Sequence, residues 1–333
     1  MKIVIADTPE TQVQDHRQEI DILKKGLKDC EIIIHDYDEK RREDFLKEIE
    51  DADALLTAYI EIDKEAIERA KKLKIISISA TGYNNVDLAA ASSKGIGVSP
   101  IGEYCTEDVA EFTICVLYAL TKNLKKHIHN IERDGKWEYD CAVPNERVEN
   151  MTLGIVGLGR IGRNVAKKAS ALGMEVLATE IAINEEAIKG LDVELCSLEK
   201  LLQECDIIAN LANLNETNYN YFNYDLFANA KKRPYFINMG RASSVVESDL
   251  IRALDEGLIK GAALDVIANE TEYLDLINHP LTNRENVIIT PHVAFYTTTA
   301  INAIIRFSCE NIIHFLNHEW DKVFRLVNLD EMK

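Results

Sequence analysis

Thr152–Gly162 reads TLGIVGLGRIG: a strand-like run (Leu153–Val156) opens into Gly157-Leu158-Gly159-Arg160-Ile161-Gly162 and then into a helical stretch to Leu172. A strand, a G-x-G-x-x-G turn and a helix in that order can cradle a dinucleotide. Gly157 permits the tight turn, Gly159 lets main chain approach a pyrophosphate, and Gly162 lets the helix pack on the strand. The helix N-terminus at Arg160 and Ile161 adds N–H groups and the positive end of a dipole. The next strand, Glu175–Thr179, ends at Glu180, eighteen residues beyond Gly162. A carboxylate there accepts hydrogen bonds from a ribose diol and repels a 2′-phosphate. Only Lys189 offers a cation in the stretch 181–189, so NAD is expected rather than NADP.

Three later segments carry a second kind of chemistry. Phe236–Ala242 (FINMGRA) puts Arg241 just past a strand end. Ala262–Glu270 (AALDVIANE) puts Asp265 and Glu270 past another, and Thr290–Tyr296 (TPHVAFY) puts His292 past a third. Ligand sites of open parallel sheets lie at the carboxyl ends of strands, where these groups fall. A guanidinium grips a carboxylate with two parallel hydrogen bonds, better than a point-charge ammonium does. An imidazolium can give a proton to an oxygen that gathers negative charge, and a carboxylate on its other nitrogen favours the protonated ring.

The elements that must hold these groups follow from hydrophobic period. Lys2–Asp7, Glu31–His35, Ala54–Thr57, Leu73–Ser79 and Ile96–Ser99 read as strands. Gln12–Leu27 and Asp63–Lys72 read as helices between them, the second with Asp63 as N-cap. A longer helix is expected over Thr106–Leu124 with Thr106 as a possible cap, then a loop or arm around Asp134-Gly135-Lys136-Trp137. A second α/β series runs from Thr152 to about Thr290, and Thr299–Asn317 closes the chain as a helix. Alternating strands and helices demand parallel sheets covered on both faces.

With 333 residues the chain is long enough for about two domains. Apolar residues make up 47% and charged residues 28%, which argues against disorder. Lys plus Arg number 38 against 56 Asp plus Glu, and a net charge of −18 repels phosphate backbones and anionic leaflets. Neither nucleic-acid nor membrane binding is expected. Seven cysteines, odd in number and without a C-x-x-C pair, fit thiols in a reducing cytoplasm better than a disulfide scaffold or a zinc site. No metal is expected.

These motifs taken together resemble the D-isomer-specific 2-hydroxyacid dehydrogenases, of the D-lactate and D-glycerate dehydrogenase type. The likeness spans nearly the whole chain, including Ala80–Asp87 (ATGYNNVD), Tyr104–Glu111 (YCTEDVAE) and Asp134-Gly135-Lys136-Trp137. It implies two doubly wound α/β domains, a Rossmann cofactor domain (102–298) inserted into a flavodoxin-like substrate domain (1–101 with 299–333). It implies Arg241, Glu270 and His292 as the catalytic set, with Arg241 on the carboxylate of a 2-oxo acid, His292 as acid and base, and Glu270 raising the histidine pKa. Asp265 matches the acid on the nicotinamide carboxamide, and Leu211, Thr217, Met239 and Gly240 fall in the loops on the cofactor side. Thr81, Gly82, Tyr83, Tyr104 and Phe295 match the substrate side, with Tyr59 near the same pocket. A homodimer built on the cofactor domains, with the 121–150 arm taking part, is also implied.

The sequence departs from the family in three places. Ala242 stands where glycine is usual, Val266–Thr271 lacks the usual Phe and Pro, and Asn210-Leu211-Ala212-Asn213-Leu214 replaces His-x-Pro-Leu-Thr. The expected activity is reversible hydride transfer between NADH and a small or medium 2-oxo acid, giving the (R)-2-hydroxy acid. The rival is an NAD(H)-sensing protein of the same fold without turnover, against which the intact Arg, Glu and His set argues. A phosphorylated substrate is disfavoured because no cation cluster marks a second anion pocket.

Overall fold

The apolar runs of the N-terminal third become five strands: β1 (Lys2–Asp7), β2 (Glu31–Asp36), β3 (Ala54–Thr57), β4 (Ile75–Ile78) and β5 (Gly97–Pro100). All pair in parallel, in the order β2-β1-β3-β4-β5. That is the flavodoxin-like winding, whose order reverses beside β1. Alternation of side chains feeds two cores. Val4, Leu55, Ile76 and Val98 meet Phe45, Ile49 and Ile67 on one face. Ile3, Ile5, Ala54 and Ile75 meet Leu23, Cys309 and Ile312 on the other. The computed structural model describes residues 1–9, 15–268 and 275–328. It separates into two units, Met1–Tyr104 with Thr297–Lys333 and Cys105–Tyr296.

The second unit holds β6 (Thr152–Val156), β7 (Glu175–Thr179), β8 (Glu194–Leu195), β9 (Ile207–Asn210), β10 (Tyr235–Asn238), β11 (Gly261–Leu264) and β12 (Val287–Ile289). These lie in the order β12-β11-β10-β9-β6-β7-β8. Counted from β6 this is the Rossmann order with one strand added at the end. Helices Thr106–Thr121 and Arg160–Ala171 cover one face through Val109, Leu117, Val165 and Ala169. Leu201, Phe227, Leu250 and Leu254 cover the other.

Several helix limits differ from the sequence reading for identifiable reasons. Asp63 does cap its helix, accepting from Ala66 N at 2.9 Å, but the helix ends at Arg69 rather than Lys72. Thr106 is not a cap: Cys105 takes that position, with no side-chain bond to the first turn. The expected 106–124 helix stops at Thr121 because Asn123 turns left-handed (φ 50°). A separate helix, Leu124–Glu132, then begins the arm. Asparagine tolerates that conformation better than most residues, so one periodic run is broken into two. The closing helix, Thr298–Leu316, is capped by Thr297, whose hydroxyl accepts from Ala300 N at 3.1 Å.

Candidate active site

The sheet of the second unit brings its chemistry to one edge. Gly157, Glu180, Leu211, Arg241, Asp265 and His292 all follow the carboxyl ends of parallel strands. β10, β11 and β12 are neighbours, so the turns bearing Arg241, Asp265 and His292 lie side by side.

Gly157 is left-handed (φ 97°), and a Cβ there would lie 2.6 Å from the Ala212 main chain. A Cβ on Gly162 would meet Gly157 O at 2.2 Å, so the helix can sit this close only with glycine. Gly159 is different, because a Cβ on it would touch nothing within 4 Å. Protein packing therefore does not ask for a glycine there, whereas a phosphate group lying over the loop would. The helix Arg160–Ala171 starts at Gly159 without a side-chain cap, leaving its N-terminal dipole directed at that open space. Glu180 is half-buried, and its carboxylate accepts from Leu158 N and Ile181 N, both at 2.8 Å. It also accepts from Ala182 N at 3.4 Å, so it ties the glycine loop to the end of β7 and keeps acceptor capacity for a ribose hydroxyl. Cradle, dipole and acid fit a dinucleotide without a 2′-phosphate.

The neighbouring positions divide between ligand face and interior. Leu211 and Met239 are buried in the core, and their N–H groups are bonded to Val156 O and Asn210 O. Thr217 N and its hydroxyl both bond Asn215 Oδ1, at 2.8 and 2.6 Å, which closes a local turn. Gly240 N donates to Asn238 Oδ1 at 3.1 Å.

Arg241 is exposed, in extended backbone (φ −136°), and its guanidinium reaches back to Gly240 O at 2.9 Å. Ala242 opens a short 3-10 turn and is not among the residues with positive φ, so replacing the family's glycine costs no backbone strain. His292 stands in the left-handed region (φ 52°), a conformation that in a non-glycine residue requires support. Asp265, 2% exposed, supplies that support. Its Oδ1 accepts from the Thr290 hydroxyl at 2.6 Å and Val293 N at 2.9 Å. Its Oδ2 accepts from Ala294 N at 2.9 Å, and its own carbonyl accepts from His292 N at 2.9 Å. Phe295 stands edge-on to the His292 ring, with centroids 6.4 Å apart. Glu270 lies outside the described residues. Sequence reasoning assigned Asp265 to the cofactor alone and missed its hold on the histidine loop; three donors within the short segment 290–294 leave no trace in residue types.

In the first unit Thr81, Gly82 and Tyr83 form an open loop after β4, with Thr81 and Gly82 exposed and Tyr83 half-buried. Asn85 Nδ2 ties that loop to Ala58 O and Ile60 O at 3.2 and 2.8 Å, beside exposed Tyr59. Tyr104 is half-buried at the limit of the unit.

Residues 114–294 match the model of the D-isomer specific 2-hydroxyacid dehydrogenase NAD-binding domain, more than half of the chain. The chain belongs to that family. Curated relatives agree over most of its length. A glyoxylate reductase of Thermofilum pendens is 33% identical over 313 residues, covering 91% of this chain and 90% of the relative. A hydroxypyruvate reductase of Blautia hydrogenotrophica is 32% identical over 279 residues, covering 82% and 85%. Among solved structures, an Aquifex aeolicus D-lactate dehydrogenase, complexed with NAD and lactic acid, superposes with a TM-score of 0.81 at 26% identity. That superposition covers 96% of this chain and 97% of the other. As a D-2-hydroxyacid dehydrogenase the chain is an NAD-dependent oxidoreductase.

Proposed function

We propose that this dehydrogenase reduces a small or medium 2-oxo acid to its (R)-2-hydroxy acid. In this reading the unit Cys105–Tyr296 is the cofactor domain and the other unit the substrate domain. The observation that carries it is the left-handed His292, braced by a buried aspartate one strand away from the turn of Arg241. NADH, when bound, supplies the hydride. Arg241 clamps the substrate carboxylate through two parallel hydrogen bonds and polarises the adjacent ketone. His292 donates the proton that the ketone oxygen takes up and recovers it in the reverse direction. Glu270 is the third member of the proposed catalytic set. Thr81, Gly82, Tyr83, Tyr104 and Phe295 are the residues proposed to contact the substrate.

The names of its relatives direct the first assay to glyoxylate and hydroxypyruvate, alongside pyruvate, 2-oxoisocaproate and phenylpyruvate. NADH oxidation with at least one member is expected. His292→Ala should lower kcat by about 10²–10⁴-fold while NADH binding stays within a few-fold. NADH binding without turnover of any member would favour a sensing role instead.

Two copies are proposed to pair through the arm. Leu124, Ile128 and Ile131 lie on one side of the arm helix, all at least 40% exposed, and Trp137 and Tyr139 beyond it are 90% and 93% exposed. Asn130 holds the turn between them through Lys136 O and Glu138 O. A patch of that kind on an otherwise charged surface marks an interface. Ile131→Glu should shift sedimentation from dimer towards monomer. A cytoplasmic setting is proposed from seven cysteines that all stand as free thiols. No helix among the described residues is long and apolar enough to cross a membrane.

A further inference from the structure

β9 and β10 end in register on two asparagines, with Asn210 beside Asn238. Each is 1% exposed, as is Ser244 in the turn after Arg241. Three buried polar side chains at the strand ends need a complete set of partners, since an unpaired one keeps the full cost of its desolvation. They find them in one another. Asn210 Nδ2 donates to Asn238 Oδ1 and to Ser244 Oγ, both at 2.9 Å. Asn238 Oδ1 also accepts from Gly240 N at 3.1 Å. The Ser244 hydroxyl donates to Arg241 O at 2.7 Å, and Asn238 Nδ2 donates to the same carbonyl at 3.3 Å.

The direction of every bond is fixed by its neighbours. Asn238 Oδ1 is committed as an acceptor by Gly240 N–H, and the Ser244 hydroxyl has spent its proton on Arg241 O. Asn210 must therefore present its NH₂ group, with both hydrogens used, and its Oδ1 is left for Ala212 N at 3.3 Å. The chain of bonds meets the main chain at Ala212, Gly240 and Arg241, and it converges on the Arg241 carbonyl, which takes three donors, the third being Ser244 N at 3.2 Å.

We propose that Asn210 is a positioning residue for Arg241: it sets the turn from which the guanidinium reaches the substrate carboxylate, without touching substrate itself. The inference rests on the reading of Arg241 as the carboxylate clamp. It also gives the atypical Asn210–Leu214 segment a purpose, because an amide at this strand end holds the turn through its two hydrogens.

Asn210→Asp tests the direction of the bonds, since it keeps the shape and replaces a double donor with a carboxylate facing two acceptors. Inhibition by oxamate, an unreactive 2-oxo acid analogue, is measured at saturating NADH, with NADH affinity and thermal melting measured separately. Asn210→Asp should weaken oxamate binding and raise KM for the preferred 2-oxo acid by about 10–100-fold, with NADH affinity changed less than about threefold. Ser244→Ala, a milder change that decides the matter if the first variant does not fold, should weaken oxamate by about 3–10-fold. Arg241→Ala should weaken it by at least about 100-fold, and adding Asn210→Ala should bring no further loss. Full oxamate binding by Arg241→Ala overturns the clamp and the inference with it. Loss in Arg241→Ala with normal oxamate binding in both Asn210→Asp and Ser244→Ala overturns the inference alone. So does a loss of NADH affinity in step with oxamate, which would mark a merely structural role.

Discussion

Asp7 and Asp265 perform the same act in the two sheets. Each is a buried acid at the end of a strand, and each gathers the donors of the loop that follows the adjacent strand. Asp7, 6% exposed, accepts from Ala58 N, Tyr59 N and Ile60 N at 2.6, 2.9 and 3.3 Å, and from the Thr57 hydroxyl at 3.3 Å. Asp265 accepts from Thr290, Val293 and Ala294. The loops differ. No residue from Thr57 to Ile60 has positive φ, whereas the loop that Asp265 holds includes the left-handed His292. A left-handed non-glycine residue costs about 1–3 kcal/mol and persists only when its surroundings over-determine it. One carboxylate thus orders a relaxed loop, and the other keeps a strained one aimed. On the proposed role of His292, the strain falls where a side chain must be presented at one angle.

The largest effect expected from this contrast is on turnover. Asp265→Ala strips three acceptor contacts from the 290–294 loop, lets His292 relax, and should reduce kcat by about 10²–10³-fold. Asp7→Ala strips four contacts from a segment without strain and should reduce kcat by less than about tenfold. Both should lower the unfolding midpoint, because each leaves buried N–H groups unpaired. Steady-state kinetics beside chemical denaturation separates the cases, and equal losses of kcat would end the comparison.

Glu180 is a third strand-end acid tying an adjacent loop, but it holds only Leu158 from the loop after β6 and is half-buried. Its remaining lone pairs face outward, so its removal should alter selection rather than stability. Glu180→Ala should reduce the ratio of kcat/KM for NADH over NADPH by about 10–100-fold while changing the melting temperature little. An unchanged ratio would leave Glu180 with the loop alone.

Much of this was legible in the residues. Strand-like runs separated by helical periods give parallel sheets, and Ala54–Thr57 and Glu175–Thr179 form with the limits their apolar runs predict. The glycine loop was readable because each glycine answers a separate steric demand. Helix ends were less so: Asp63 was readable as a cap, but its helix stops short at Arg69, and Asn123 breaks the next one through backbone geometry alone. Least visible were long-range polar contacts. Asp265 with Val293 and Asn210 with Ser244 are separated by 28 and 34 positions, and only the stacking of strand ends brings them together. The Arg241, Asp265 and His292 turns could be expected at one sheet edge; the bonds that orient them could not.

The smallest effect lies beside Asp7 and sharpens the contrast from the other side. Glu19 is 4% exposed, bonded to His16, and close enough to Asp7 to feel its charge. Burial pushes the Glu19 carboxyl above its ordinary range and the charge on Asp7 adds to this, against the pull of His16. Burial likewise raises Asp7, against the N–H groups of Tyr59, Ala58 and Ile60 and the Thr57 hydroxyl. The fold therefore favours the protonated acid at both positions. Their contribution to stability is complete below the ordinary carboxylate pKa and is lost as pH rises through the raised values. Glu19→Gln keeps a neutral hydrogen-bonding side chain at every pH. Its stability relative to the parent should be near zero in acid and increasingly favourable towards neutrality, as read from denaturation midpoints at successive pH values. A difference that stays flat, or runs the other way, would mean that His16 holds Glu19 ionised in spite of its burial.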